Sequence, residues 1–236
     1  AVEAEGEASG SGTTTTFLPD KDVFSSLSYD FDLLVQRLRE VAYLVPKLEI
    51  NLHDERNNQE ATFYFEGGIV SFVRYLNRHK VILHPKPIYL CKEVEGTIVE
   101  TAIQYNDSYT ELILSFANCI NTADGGSHLT GFRSALTRVL NDYIRKAKII
   151  KDNEASLLGE DVRGGLAAIV SVKLKEPQFE GQTKAKLGNL EVKSQVESVV
   201  AEGVFDYLEQ HPQEARRIID KCLEAAKARE AARKAR

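Results

Sequence analysis

Residues 88–118 limit the possible folds of this chain more than any other stretch. Three runs, 88–94, 97–105 and 111–118, are rich in β-branched and aromatic residues, and each is long enough for a strand. Gly96 separates the first from the second, and Asn106-Asp107-Ser108 the second from the third. Connections this short hold no crossover helix, so an antiparallel meander is expected. Behind it, Gly125-Gly126 leads into Leu129, Phe132, Leu136, Val139, Leu140 and Tyr143, which recur at helical spacing. A sheet followed by a helix with one apolar face predicts a mixed α+β fold, with a mixed or antiparallel sheet and covering helices.

The flanking segments extend this plan. Phe31, Leu34, Val35, Leu38, Val41 and Ala42 mark a helix that starts near Asp30 and ends before Pro46. Strands are expected over 48–53 and 61–65, joined by the polar turn Arg56-Asn57-Asn58, and Gly67-Gly68 opens a second helix through Phe72 and Leu76. Residues 13–18 read as a strand stopped by Pro19, and 1–12, with Glu3, Glu5, Glu7, Gly and Ser, as a linker or the remnant of a preceding domain. A further strand is expected over 166–174. Two helices close the chain, the first carrying Val192, Val196, Val199, Val200, Val204 and Leu208, the second starting at Pro212. The expected division is therefore 1–12, a core over 13–190, and C-terminal helices over 191–236.

Composition excludes several function classes. With 236 residues and 43% apolar content the chain can bury a sizeable core, and no apolar run approaches membrane-spanning length. Methionine is absent even at position 1, which reads as a chain cut from something longer. Cys91, Cys119 and Cys222 are odd in number and widely spaced, so neither a disulfide framework nor a zinc site is expected, and they fit a reducing compartment. The five histidines stand at no metal-ligand spacing. No Gly-x-Ser-x-Gly elbow and no Walker-type or dinucleotide-binding glycine loop occurs, so nucleotide binding unaided is not expected. The net charge of -5 gives no global attraction to nucleic acid, leaving that task to local basic patches.

One such patch ends the chain. From His211 to Arg236, eight Lys or Arg stand against four acids, a local charge of +4, and after Leu223 the large apolar residues stop. A helix leaving the core there would present Arg229, Arg233 and Arg236 on one face, able to touch phosphates without reading sequence.

The polar loop Pro177-Gln178-Phe179-Glu180-Gly181-Gln182-Thr183-Lys184 carries the most specific chemistry. A lysine ammonium suits a phosphate and a glutamine amide adds neutral donors; in an extended loop, residues two apart would aim Gln182 and Lys184 at one anion. Around it stand, in order, Gly12-Thr13-Thr14-Thr15, Pro19-Asp20, Leu38-Arg39-Glu40, Glu66-Gly67-Gly68-Ile69, His84-Pro85 and Gln104-Tyr105-Asn106-Asp107. Then come Asp124-Gly125-Gly126-Ser127-His128-Leu129-Thr130-Gly131-Phe132-Arg133, Glu160-Asp161-Val162-Arg163-Gly164-Gly165-Leu166 and Ala228-Arg229-Glu230-Ala231-Ala232-Arg233. This ordered set, over about residues 11 to 236, resembles bacterial-type DNA gyrase B subunits within the type II topoisomerases.

The resemblance implies the transducer region: a β-sheet domain with covering helices related to a ribosomal-protein fold, followed by a helical extension. It implies that Gln182 and Lys184 contact the terminal phosphate of ATP held in a neighbouring ATPase domain, with Lys184 acting in catalysis. ATP and Mg would belong to the intact enzyme, and the segment alone is expected to be inactive. Arg133 would face the DNA cavity of a homodimer of B subunits, and the partners would be double-stranded DNA and the gyrase A subunit, in a bacterial-type cytoplasm or, as the alternative, an organelle. The corresponding subunit of topoisomerase IV is the nearest alternative. A stand-alone RNA- or ribosome-binding module is a more distant one, disfavoured by the acidic isoelectric point of 5.7.

Overall fold

A computed structural model describes residues 6–7, 18–149 and 156–234. The strand expected over 13–18 and the linker expected over 1–12 lie outside the described residues, apart from 6–7 and Leu18, as does Arg236. Helix α1 (Phe31–Leu44) begins where Asp30 accepts the Leu33 amide at 3.0 Å and stops two residues before Pro46. Strands β1 (Ile50–Asp54) and β2 (Gln59–Phe63) form an antiparallel hairpin, and α2 (Gly68–Leu76) follows.

Strands β3 (Ile88–Val94) and β4 (Thr97–Tyr105) pair antiparallel across Gly96. After them come β5 (Leu112–Ala117), β6 (Ile120–Asn121), β7 (Gly125–Gly126) and helix α3 (Ser127–Lys146). A one-turn helix α4 (Gly159–Arg163) leads into β8 (Leu166–Lys173), then β9 (Lys186–Leu187), α5 (Leu190–Gln210) and α6 (Pro212–Lys234). The short elements β6, β7, α4 and β9 have no counterpart in the sequence-based expectations.

The main sheet has the order β3-β4-β8-β5-β6. The expected meander therefore holds only for β3 and β4: β8 lies between β4 and β5, antiparallel to the first and parallel to the second. The reason lies in the connection after β4. Asn106 does not turn the chain back; its amide donates to the Gly165 carbonyl at 2.9 Å, and its side chain caps the Ser108 amide while donating to Asn77. The segment thus crosses the entrance to β8 before β5 begins. Seven of the eight residues of β8 are buried, as a central strand with neighbours on both edges and both faces requires.

Each sheet face is covered. On one, Val99, Ile103, Ala168, Val170 and Val172 pack with Phe132, Leu136, Leu140, Val196 and Val200 from α3 and α5. On the other, Ala102, Phe116, Ala167 and Ile169 pack with Tyr43, Leu44, Ile69, Phe72 and Val73 from α1 and α2. Tyr43 stacks on Phe72 with ring centroids 4.6 Å apart. Helices α3 and α5 lie very close: a Cβ at Gly131 would stand 2.4 Å from the Lys193 carbonyl oxygen.

Candidate functional site

The polar loop after β8 is a closed hairpin. Asn118 clamps its entrance, donating to the Leu174 carbonyl at 2.7 Å and accepting the Leu174 amide at 2.9 Å. Asn189, buried at the loop exit, accepts the Gln178 amide at 2.7 Å and donates to Glu176 and Glu191. Between them the Gly188 amide donates to the Gln178 carbonyl and the Glu180 amide to the Lys186 carbonyl.

The tip is a turn over Gly181–Lys184, closed by the Lys184 amide on the Gly181 carbonyl at 3.3 Å. Gly181 and Lys184 both take positive φ, 81° and 55°. The alternation expected of an extended loop therefore does not apply; Gln182 and Lys184 stand on a tight turn instead. Both side chains are exposed and have no hydrogen bond or ion pair among the described residues, whereas Lys186 is taken by Glu180 at 3.1 Å. The Lys184 ammonium lies over the Phe179 ring, 6.0 Å from its centroid, so the tip presents an exposed cation and an exposed amide on a backbone with fixed ends. Among the described residues no group of three His, Cys, Asp or Glu is placed to hold a metal ion.

The loop base is bonded to the start of α3. Strand β9 pairs with β7 in parallel, Gly125 opposite Lys186 and Gly126 opposite Leu187, and the Asp124 amide donates to the Ala185 carbonyl at 2.9 Å. Beneath this joint His128 is fully buried, its Nε2 3.0 Å from the Thr122 hydroxyl, which also bonds Ser115. Burial pushes its pKa down to about 4, so the imidazole is neutral. Sequence reasoning gave none of these residues a role, because two glycines and a buried histidine carry no signal of what they touch.

Further along α3, Arg133 projects from the apolar stripe and is exposed. Its Nη2 and Nε lie 2.5 and 3.1 Å from Glu111 Oε1, while Arg163 Nε lies 2.8 Å from the other oxygen, Oε2. The two arginines edge a shallow cleft of 620 Å³, shared with Thr130, Ser134 and Arg138. Arg163 received no role from sequence reasoning although its motif was recognised; Glu111 stands 22 residues from Arg133 and gave no signal.

The expected departure of α6 from the core after Leu223 comes later. Arg229 docks on α4, its Nε and Nη2 2.8 and 3.0 Å from the two oxygens of Asp161, with Glu160 at 3.4 Å. Asp161 is buried and also accepts the Leu158 amide at 2.8 Å. Arg229 is thus a strut between α4 and α6, and a phosphate contact there would require the pair to open. Arg233 is exposed. No helix among the described residues is long and apolar enough to cross a membrane.

Comparison with known proteins places this geometry in a family. The DNA gyrase B family model matches residues 68–236, beginning at the first residue of α2. The DNA gyrase B subunit of Clostridium acetobutylicum is 53% identical over 239 residues, covering 99% of this chain and 37% of the relative. That of Myxococcus xanthus is 51% identical over 225 residues, covering 95% of this chain and 28% of the relative. Among solved structures, the 43K ATPase domain of Thermus thermophilus gyrase B, in complex with an aminocoumarin, superposes with a TM-score of 0.80 at 41% identity over 92% of this chain and 58% of that one. The topoisomerase IV ATP-binding domain of Francisella tularensis gives 0.76 at 27% identity, covering 89% of this chain and 57% of that one. The chain spans between about a quarter and two fifths of these two curated relatives' length. With half of its residues shared and its fold superposed, the chain belongs to the DNA gyrase B family.

Proposed function

We propose that this chain is the coupling region of a gyrase B subunit, in which Gln182 and Lys184 sense the terminal phosphate of ATP and relay its presence to a DNA-facing surface on α3. One observation carries the reading: the exposed loop tip and the helix bearing Arg133 share a hydrogen-bonded joint, β7 against β9. A displacement of the loop toward a phosphate pulls on Lys186 and Leu187, and through them on the first turn of α3. Bound ATP, held in a neighbouring ATPase domain, would supply the phosphoryl group and its negative charge, and this chain alone is expected to be inactive.

Within that scheme Lys184 does two things. Its ammonium holds the phosphate in the ground state, and it stabilises charge that builds on the transferred group, which matters more because the benefit exists only during transfer. Double-stranded DNA, the gyrase A subunit and a second B subunit are the partners this reading requires, in a bacterial cytoplasm. The gyrase relatives at about half identity favour gyrase over topoisomerase IV.

The test is Lys184→Ala in a B subunit that includes its ATPase domain. Turnover should fall on the order of a hundredfold, about 3 kcal/mol, with much less effect on nucleotide affinity. Near-normal steady-state turnover would overturn the role.

A further inference from the structure

We propose that Glu111 is a built-in competitor of the DNA backbone: its carboxylate occupies the guanidinium pair of Arg133 and Arg163 that a phosphodiester takes when a duplex enters the cleft. The inference rests on the reading of α3 as a DNA-facing helix, and adds Arg163, Arg138 and the carboxylate to it.

The geometry is that of an occupied anion site. One Glu111 oxygen receives both the Nη2 and the Nε of Arg133, and the other receives Arg163 Nε. A carboxylate and a phosphodiester each offer two oxygens to guanidinium forks, so the two anions are interchangeable in shape. They are unequal in number: two arginines share one carboxylate, and Arg138 on the same cleft has no partner among the described residues. The cleft therefore keeps excess positive charge with Glu111 in place.

The cleft is also poised for exchange. The Arg133 and Glu111 side chains are 43% and 28% exposed, so water already reaches the pair and its opening strands no buried charge. Arg163 moves less freely: a Cβ at Gly159 would lie 2.5 Å from its Nη1, and its helix is held by the Tyr105 hydroxyl on the Val162 carbonyl at 2.9 Å and by the Arg229 strut. Glu111, in the loop entering β5, is the member with room to leave. The Ser134 hydroxyl, on the exposed face of α3 and without a partner among the described residues, adds a neutral donor. Release of Glu111 by a phosphate would make DNA entry an exchange of anions, which weakens capture at low occupancy and favours a duplex that presents several phosphates over a free anion.

The experiment uses an intact B subunit, a fluorescent duplex of about 30 base pairs and anisotropy across a salt series. Glu111→Gln keeps the shape and removes the charge; it should tighten binding roughly three- to tenfold at low salt and steepen the log-affinity against log-salt slope by about one unit. Arg163→Gln should weaken binding, and adding Glu111→Gln to an Arg133→Gln, Arg163→Gln background should tighten it less than in the wild type, because only the general repulsion of an unpaired carboxylate is then relieved. Inorganic phosphate should displace the duplex no better than chloride of equal ionic strength; stronger displacement would identify the cleft as a free-phosphate site and overturn the DNA assignment. Weaker or unchanged binding of a Glu111→Gln protein with the wild-type thermal midpoint overturns the competitor role, while an Arg133→Gln protein that binds DNA normally overturns the DNA-facing reading beneath it. Should Glu111→Gln lower the midpoint, Glu111→Ser at the same position supplies a second uncharged side chain, with the same expected tightening and the same overturning result.

Discussion

A Cβ on Gly126 would stand 2.4 Å from the carbonyl oxygen of Leu187, and Gly126 itself takes a φ of 136°. No side chain fits between the polar loop and the start of α3, so the two backbones touch there. Gly126→Ala should therefore destabilise the fold by about 1–3 kcal/mol, read as a lower urea midpoint. Gly131→Ala, where the Cβ would approach the Lys193 carbonyl oxygen at the same 2.4 Å, should cost about as much, again about 1–3 kcal/mol. Gly181→Ala meets no atom within 4 Å and should lose only the few tenths of a kcal/mol to about 1 that its positive φ carries. A fully stable Gly126→Ala would mean that the joint has room for a methyl group.

Arg229→Ala should lower the thermal midpoint by several degrees, because it leaves Asp161 buried with a negative charge and no cation. Arg233→Ala, four residues along the same helix and exposed, should leave the midpoint unchanged. Differential scanning fluorimetry distinguishes the two. Equal midpoints for both variants would show that the strut contributes nothing.

Acid should destabilise the fold before its carboxylates titrate. Burial lowers His128 from 6.5 to about 4 and shifts His84 in the same direction. Below pH 6.5 the unfolded chain binds protons that the folded chain refuses, so stability is full above that pH and falls as pH drops toward 4. The slope from His128 alone approaches about 1.4 kcal/mol per pH unit. His128→Gln should flatten the profile of urea midpoints over this window, and an unchanged profile would contradict the neutral buried imidazole.

How far the sequence carried depends on what each residue shows by itself. The β3–β4 hairpin was legible because Gly96 supplies the turn and both flanks are strand-like. The place of β8 was not: an apolar run announces burial but names no neighbour, and the crossing of Asn106 over Gly165 is a backbone event between residues 59 apart in number. The family's loop and Arg133 were found through resemblance alone. What the resemblance lacked was the local pairing, Glu111 against two arginines and Asp161 against Arg229, because complementary charges distant in sequence look like any other surface charges.

The central claim is that phosphate contact at Lys184 reaches α3 through the joint. Its most direct measurement is amide hydrogen exchange over residues 124–131 of an intact B subunit, with and without a non-hydrolysable ATP analogue. Nucleotide should change protection there in the wild type and fail to do so in Lys184→Ala at saturating analogue. An identical change in Lys184→Ala, or none in the wild type, would contradict the coupling.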